Sequence, residues 1–265
     1  MEQKNLEIEE LLQALKQNQL LVAMLAPSFP IVFPFPQIIG KLKRLGFKHV
    51  VEVSHGAQET NRQLIQLLQQ NPNDRYITSP CPSIVRLIRS KYPHLQQFLA
   101  PIDSPMVATT KKIHQHLPVA KVVFIGPCLV KKLEAKEDHP DLNILVLTYH
   151  ELLQIFEQRI INNESSDNFA SFDLFGSTTR LYPISGGLSQ SAQLNTLLTD
   201  EEYDVVSGVE LAEKSLEEFP TNRVKVLDIL FCGGGCIAGV GISSSLSVEE
   251  RREKIIQYQQ LNNKD

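Results

Sequence analysis

The chain reads as an α/β protein built on small, mostly parallel sheets. Seven short runs rich in Val, Ile and Leu recur along the 265 residues, and stretches with helical spacing separate them. Several runs are apolar without alternation, as strands covered on both faces of a parallel sheet must be. Strand and helix in regular alternation is the pattern of layered α/β folds. Strands are expected at 20–26, 49–53, 76–79, 121–125, 144–148, 203–207 and 224–229, with helices at 58–70, 83–90, 151–159 and 210–218 between them.

Residues 5–17 place Leu6, Leu11, Leu12 and Leu15 on one helical face, so a helix packed on the body is expected there. The most apolar stretch, 20–35, is interrupted by Pro27, Pro30 and Pro34 and reads as a strand leading into a rigid loop, not as a membrane span. Residues 161–168, Ile-Asn-Asn-Glu-Ser-Ser-Asp-Asn, read as a flexible surface loop. Ser247 followed by Glu250 has the spacing of a capping box, opening a last helix through Leu261.

With 42% hydrophobic residues the chain can bury the core of one large domain or two lobes. Lys plus Arg is 26 against 30 for Asp plus Glu, a net charge of −4, which gives no electrostatic argument for nucleic acid. The first nineteen residues are polar and acidic, unlike a signal peptide, so a cytoplasmic protein without membrane insertion is expected. His114 and His116 adjoin Lys111 and Lys112 and read as a helix surface, not a metal site.

The chemistry lies in four cysteines, all in Pro/Gly-rich loops: Thr78-Ser79-Pro80-Cys81-Pro82, Gly126-Pro127-Cys128 and Cys232-Gly233-Gly234-Gly235-Cys236. Thiolates bound to iron need backbone N–H groups aimed at sulfur, and glycine lets the main chain approach. Proline ahead of Cys81 and Cys128 stiffens the corners that present the thiols. Two disulfides are disfavoured in a chain of this size with no secretory signal. A structural zinc site usually presents two CxxC knuckles, whereas here two lone cysteines join one CxxxC. Four unrelated core thiols would not all fall in such loops.

In order and spacing these segments resemble the three cysteine signatures of the cluster-bearing domain of iron-only hydrogenases, TSCCP, MPCxxKxxE and MACxGGC; this chain has TSPCP, GPCLVKKLE and LFCGGGC. The resemblance runs from about residue 20 to 241. It implies that Cys81, Cys128, Cys232 and Cys236 hold a 4Fe-4S cluster. It also implies that Cys236 bridges to a diiron subsite carrying CO and cyanide, the whole being the H-cluster. Pro27 and Ser28, in the Ala26-Pro27-Ser28 segment, and Ser104 and Pro105 are similar to segments lying beside the two cyanides. Lys131 matches a lysine that donates to a cyanide nitrogen, and Glu134 completes CxxKxxE. Gly186-Gly187 matches a family turn that would wall the pocket. The chain is expected to divide into an N-terminal helix over 1–19, a cluster domain over 20–245 and a C-terminal helix over 246–265. The domain would have two lobes, about 20–117 and 118–245 with Pro118 at the boundary, and the cluster in the cleft between them.

Several residues depart from the family pattern. Pro80 stands where active members have a proton-relaying cysteine, and Phe29-Pro30-Ile31-Val32-Phe33-Pro34-Phe35-Pro36 carries none of the expected acidic relay. Gly126 and Leu230 replace two family methionines, and Phe231 is bulkier than the family's alanine. No catalytic residue can be named, and residues 1–80 lack the cysteines of a ferredoxin-like module. Three classes follow from the resemblance. One is a sensor of hydrogen, carbon monoxide or redox state with a signalling partner. Another is a hydrogenase subunit fed by a separate ferredoxin-like donor. The last is a cubane-only assembly or scaffold protein of the Nar1 kind. An installed diiron site implies hydrogenase maturases as further partners.

Overall fold

The computed structural model describes residues 5–261, so the outermost parts of the two expected terminal segments, 1–4 and 262–265, lie outside the described residues. Seven strands form at the seven apolar runs: β1 (Leu21–Leu25), β2 (His49–Glu52), β3 (Tyr76–Ile77), β4 (Lys121–Gly126), β5 (Leu145–Thr148), β6 (Tyr203–Ser207) and β7 (Val226–Leu230). Ten helices accompany them: α1 (Leu6–Lys16), α2 (Gln37–Leu45), α3 (Ser54–Gln70), α4 (Pro82–Lys91), α5 (Pro105–His116), α6 (Val130–Leu133), α7 (Tyr149–Gln158), α8 (Gly187–Ser191), α9 (Val209–Glu218) and α10 (Val248–Gln260). No described helix is long and apolar enough to cross a membrane.

The strands make two sheets, both wholly parallel, in the orders β2-β1-β4-β5 and β3-β7-β6. The expected lobe boundary at Pro118 is not found. β4 follows Pro118 yet pairs in register with β1, Met24 lying opposite Phe124. The reason is burial: all five residues of β1 and five of the six in β4 are buried, so each needs a strand on either side. β3 meanwhile leaves the first half of the chain to pair with β7.

One core surrounds the first sheet and includes Leu11, Met24, Ile38, Leu42 and Ile125. Another joins Ile84 and Ile88 of α4 and Ala212 and Leu216 of α9 to Leu227 and Ile229 of β7. α1 packs as expected, but through Ile8, Leu11 and Ala14; Leu6 points to solvent. α2, not among the helices expected from the sequence, forms just after the proline-rich loop, because its Ile38, Ile39, Leu42 and Leu45 make a buried stripe.

The expected flexible loop at 161–168 is anchored. Asp167 is buried and takes two hydrogen bonds from Arg44, from Nε at 3.0 Å and Nη2 at 2.8 Å. Its pKa falls below the usual carboxylate value chiefly through that guanidinium. At the other end α10 has the capping box read from the sequence. Its Arg251 donates to the carbonyls of Ser244 (2.8 Å), Leu246 (2.9 Å) and Ile237 (3.0 Å), and Ile255 packs with Ile31, Ile184 and Ile237. Beside it Arg180 and Glu52, both buried, form an ion pair at 2.9 Å, with the Tyr258 ring 4.2 Å from the guanidinium.

Candidate metal centre

Ligands of parallel sheets gather where strands end and the chain leaves in opposite directions. β1 and β4 make such a point in the first sheet: Ala26-Pro27-Ser28 follows β1, Pro127-Cys128 follows β4, and the Ala26 N–H donates to Ile125 O at 2.9 Å. In the second sheet the central strand β7 leads into Cys232 and Cys236, and its neighbour β3 leads into Cys81. Every cysteine therefore follows the carboxyl end of a strand. A cavity lies between these ends. Its lining is mostly apolar, with Pro27, Ser28, Val53, Pro80, Met106 and Phe124 among the walls.

Each loop is fixed locally. Cys81 caps α4, with Pro82 in the first turn, and backbone N–H groups of Phe231 and Ile84 point at its sulfur. Gly234 and Gly235 take φ of +88° and +103°, which L side chains rarely adopt. A Cβ on Gly235 would also stand 2.5 Å from Pro183 O. The Ser185 N–H donates to Gly234 O at 3.0 Å, and the Gly241 N–H donates to Pro127 O at 2.8 Å, which joins the Cys236 loop to the Cys128 loop. The expected Gly186-Gly187 turn opens α8, whose Leu188 lines the cavity.

All four cysteines are free and half-buried. Burial pushes the Cys81 thiol up; Cys232 is pushed up to about 11 by burial and then by Cys81 and Cys128. Cys236 is raised further, first by burial and then by the other three thiols, with Lys131 opposing. Thiols that repel one another's charge in this way share one electrostatic site. Among the described residues no three His, Cys, Asp or Glu side chains close on a single point, as ligands of one ion would.

Lys131 links two cysteine loops. Its Nζ donates to Pro80 O at 3.2 Å and pairs with Glu134 Oε2 at 2.5 Å, while Ser104 Oγ donates to Glu134 Oε1 at 2.5 Å. Cys81, Cys128, Cys236, Lys131, Pro27, Ser28 and Pro105 thus meet at one cavity. Cys232 is not among the residues lining this cavity. Ser104, expected beside the cofactor, is not brought to this cavity: it caps α5, is bound to Glu134, and lines a separate surface pocket. Phe231 is likewise absent from the lining and packs into the second core.

Two residues of the site were not read from the sequence. Tyr149 is fully buried, donates its phenol hydrogen to Ala26 O at 2.9 Å and meets Ser28 Oγ at 2.7 Å. A phenol has one hydrogen, so Ser28 is the donor in the second bond. Asp228 lines the cavity from β7, 3% exposed. A carboxylate inside the apolar run Val-Leu-Asp-Ile-Leu was its signal.

Four free thiols in the loops that follow strands of two parallel sheets mark an α/β protein with a candidate metal centre. The chain belongs to the family described as "Iron only hydrogenase large subunit, C-terminal domain", which matches residues 19–240. It is 23% identical over 257 residues to iron hydrogenase 1 of Clostridium pasteurianum, covering 77% of this chain and 45% of that one. It is 30% identical over 118 residues to the cytosolic Fe-S cluster assembly factor NAR1 of Eremothecium gossypii, covering 43% and 26%. The chain thus spans less than half the length of either. Its fold matches that of a variant of the FeFe-hydrogenase HydA1 from Chlamydomonas reinhardtii with a TM-score of 0.72 and 17% identity, over 94% of this chain and 88% of that one.

Proposed function

We propose that Cys81, Cys128, Cys232 and Cys236 hold a 4Fe-4S cluster, and that the protein uses it to sense hydrogen, carbon monoxide or redox state, with little or no turnover. The observation that carries this reading is that three of the four cysteines line one cavity whose wall has Pro80 in place of the family's relaying thiol. Pro80 stands where a relaying thiol would be needed, and residues 29–36 hold no carboxylate. General acid-base transfer needs a titratable group within hydrogen-bond reach. The donor set supports the cluster: thiols buried this deeply lose their protons only to a strongly cationic group, and glycine main chain lies against them. Bound there, the cluster supplies one-electron chemistry. A diiron subsite with CO and cyanide would lie against Lys131, Pro27, Ser28 and Pro105, and would require maturases. The partner is a ferredoxin-like donor or a signalling protein, in a reducing cytoplasm.

A cubane-only scaffold role is the second reading. It is favoured by Lys131, whose ammonium is already satisfied by Glu134 and Pro80 O without any ligand. The deciding experiment is iron and acid-labile sulfide content with an infrared spectrum, on protein purified without oxygen after co-expression with maturases. About four irons without CO or cyanide bands means the scaffold; about six with those bands means the complete cofactor. Rapid hydrogen evolution from a reduced artificial donor would overturn the sensing role. Hydrogen evolution only in Pro80→Cys would show that the native chain lacks the relay, not the cofactor.

A further inference from the structure

Asp228 and Ser189 separate two spaces. Asp228 lines the thiol cavity, while Ser189 lines a solvent-open groove with Gln190, Gln193, Asn195 and Tyr203 on its far side. Between them stands one short link: Ser189 Oγ donates to Asp228 Oδ2 at 2.7 Å, and the Ser189 N–H donates to the same oxygen at 3.1 Å. Oδ1 takes no hydrogen bond among the described residues. Among the described residues Asp228 is the one carboxylate in the cavity lining, and no cation is paired with it.

We propose that Ser189 and Asp228 form a proton entry into the cluster cavity, Asp228 taking up one proton when the cavity gains one electron. The proposal rests on the reading that the four thiols hold a 4Fe-4S cluster. The electron comes from a low-potential one-electron donor such as dithionite. The proton on Ser189 Oγ passes to Asp228, forming its carboxyl O–H, and water in the groove restores the serine hydroxyl. One electron and one proton enter together, so the net charge of the cavity does not change. That balance matters because an added charge in an apolar cavity meets little screening.

Burial holds the Asp228 carboxyl above the usual aspartate value, against the opposing pull of the two Ser189 donors. The titratable group facing it is Tyr182, itself raised well above a free phenol by burial and then by Asp228. Lys131 and the thiols of Cys81, Cys128 and Cys236 lie in the same cavity, and the adjoining α3 presents the uncharged Thr60 and Asn61. Negative charge gained on reduction raises the carboxyl further, so reduction and protonation favour each other. A mere cap for α8 would need the two Ser189 bonds but no change of protonation.

The test is a redox titration of the reconstituted protein, followed by electron paramagnetic resonance, at pH values from 5 to 9. Iron and sulfide are counted in each sample. In the parent chain the midpoint potential falls by up to about 59 mV per pH unit, the one-electron equivalent of a tenfold change, across a limited window. Asp228→Asn flattens that dependence at unchanged iron content. Ser189→Ala keeps it but moves the window to higher pH, because the carboxylate loses a hydroxyl donor; this variant serves even if Asp228→Asn fails to fold. A cluster whose potential is flat in the parent chain, or equally sloped in Asp228→Asn, or a window unmoved in Ser189→Ala, overturns the proposal. Protein without iron would instead sink the cluster reading on which it stands.

Discussion

Replacing Arg180 by methionine removes the one cation paired with Glu52 among the described residues. Arg180 is 1% exposed and Glu52 0%; Nε lies 3.1 and 3.0 Å from the two carboxylate oxygens and Nη2 lies 2.9 Å from one of them. Breaking a buried pair on one side costs about 3–5 kcal/mol, because a charge is left without a partner. For a chain of this size each kcal/mol moves Tm by about 2–4 °C, so Arg180→Met should melt about 6–20 °C lower. Replacing both partners, Glu52→Gln with Arg180→Met, should restore most of that, since neither buried charge remains. The pH dependence follows from the sign of the shift. Burial already pushes Glu52 up against the pull of Arg180. Without the guanidinium its folded value rises further above the unfolded one. The folded state then favours the protonated carboxyl, so stability is kept at low pH and lost as pH rises through the folded value. Circular dichroism melts at pH 5 and pH 8 should therefore show the smaller defect at pH 5. A variant melting within about 2 °C of the parent, or a defect that grows toward acid, would refute the reasoning.

Tyr149→Phe strips a buried donor from Ala26 O and the acceptor from the Ser28 hydroxyl. It should cost about 1–3 kcal/mol, read as a lower urea midpoint with the slope unchanged. Gly235→Ala forces a side chain against Pro183 O at a φ of +103°. The strain should be about 1–3 kcal/mol, and iron per chain should fall after reconstitution. Lys131→Met leaves the buried Glu134 with Ser104 alone. It also removes a positive charge beside the thiols, so the midpoint potential should become more negative by on the order of tens of millivolts, with Lys131→Arg near the parent value.

The seven strands were legible because β-branched runs such as Lys121–Gly126 carry their burial in their composition. The four cysteines were legible because their loops are locally unusual. What escaped depends on partners far away in sequence. Ser28 meets Tyr149 across 121 residues, Asp228 meets Ser189 across 39, and Arg44 secures Asp167 across 123. Pro118 looked like a seam because proline breaks the local pattern, yet sheet pairing between β1 and β4 crosses it. Ser104-Pro105 looked like one cofactor segment, yet its two residues part: Pro105 lines the cavity, while Ser104 gives its hydroxyl to Glu134.

The last helix begins beyond residue 240, where the family match ends, yet Arg251 holds the carbonyl of Ile237, the residue after Cys236. Val248 lies where a side chain on Gly234 would have to go, and Tyr258 lies beside the Arg180 guanidinium. The last helix and the 232–236 loop are therefore mechanically one piece. A tether, a tag or a protease acting on α10 pulls on a thiol, and a spin label on its outer face would report from the surface whether the centre is loaded.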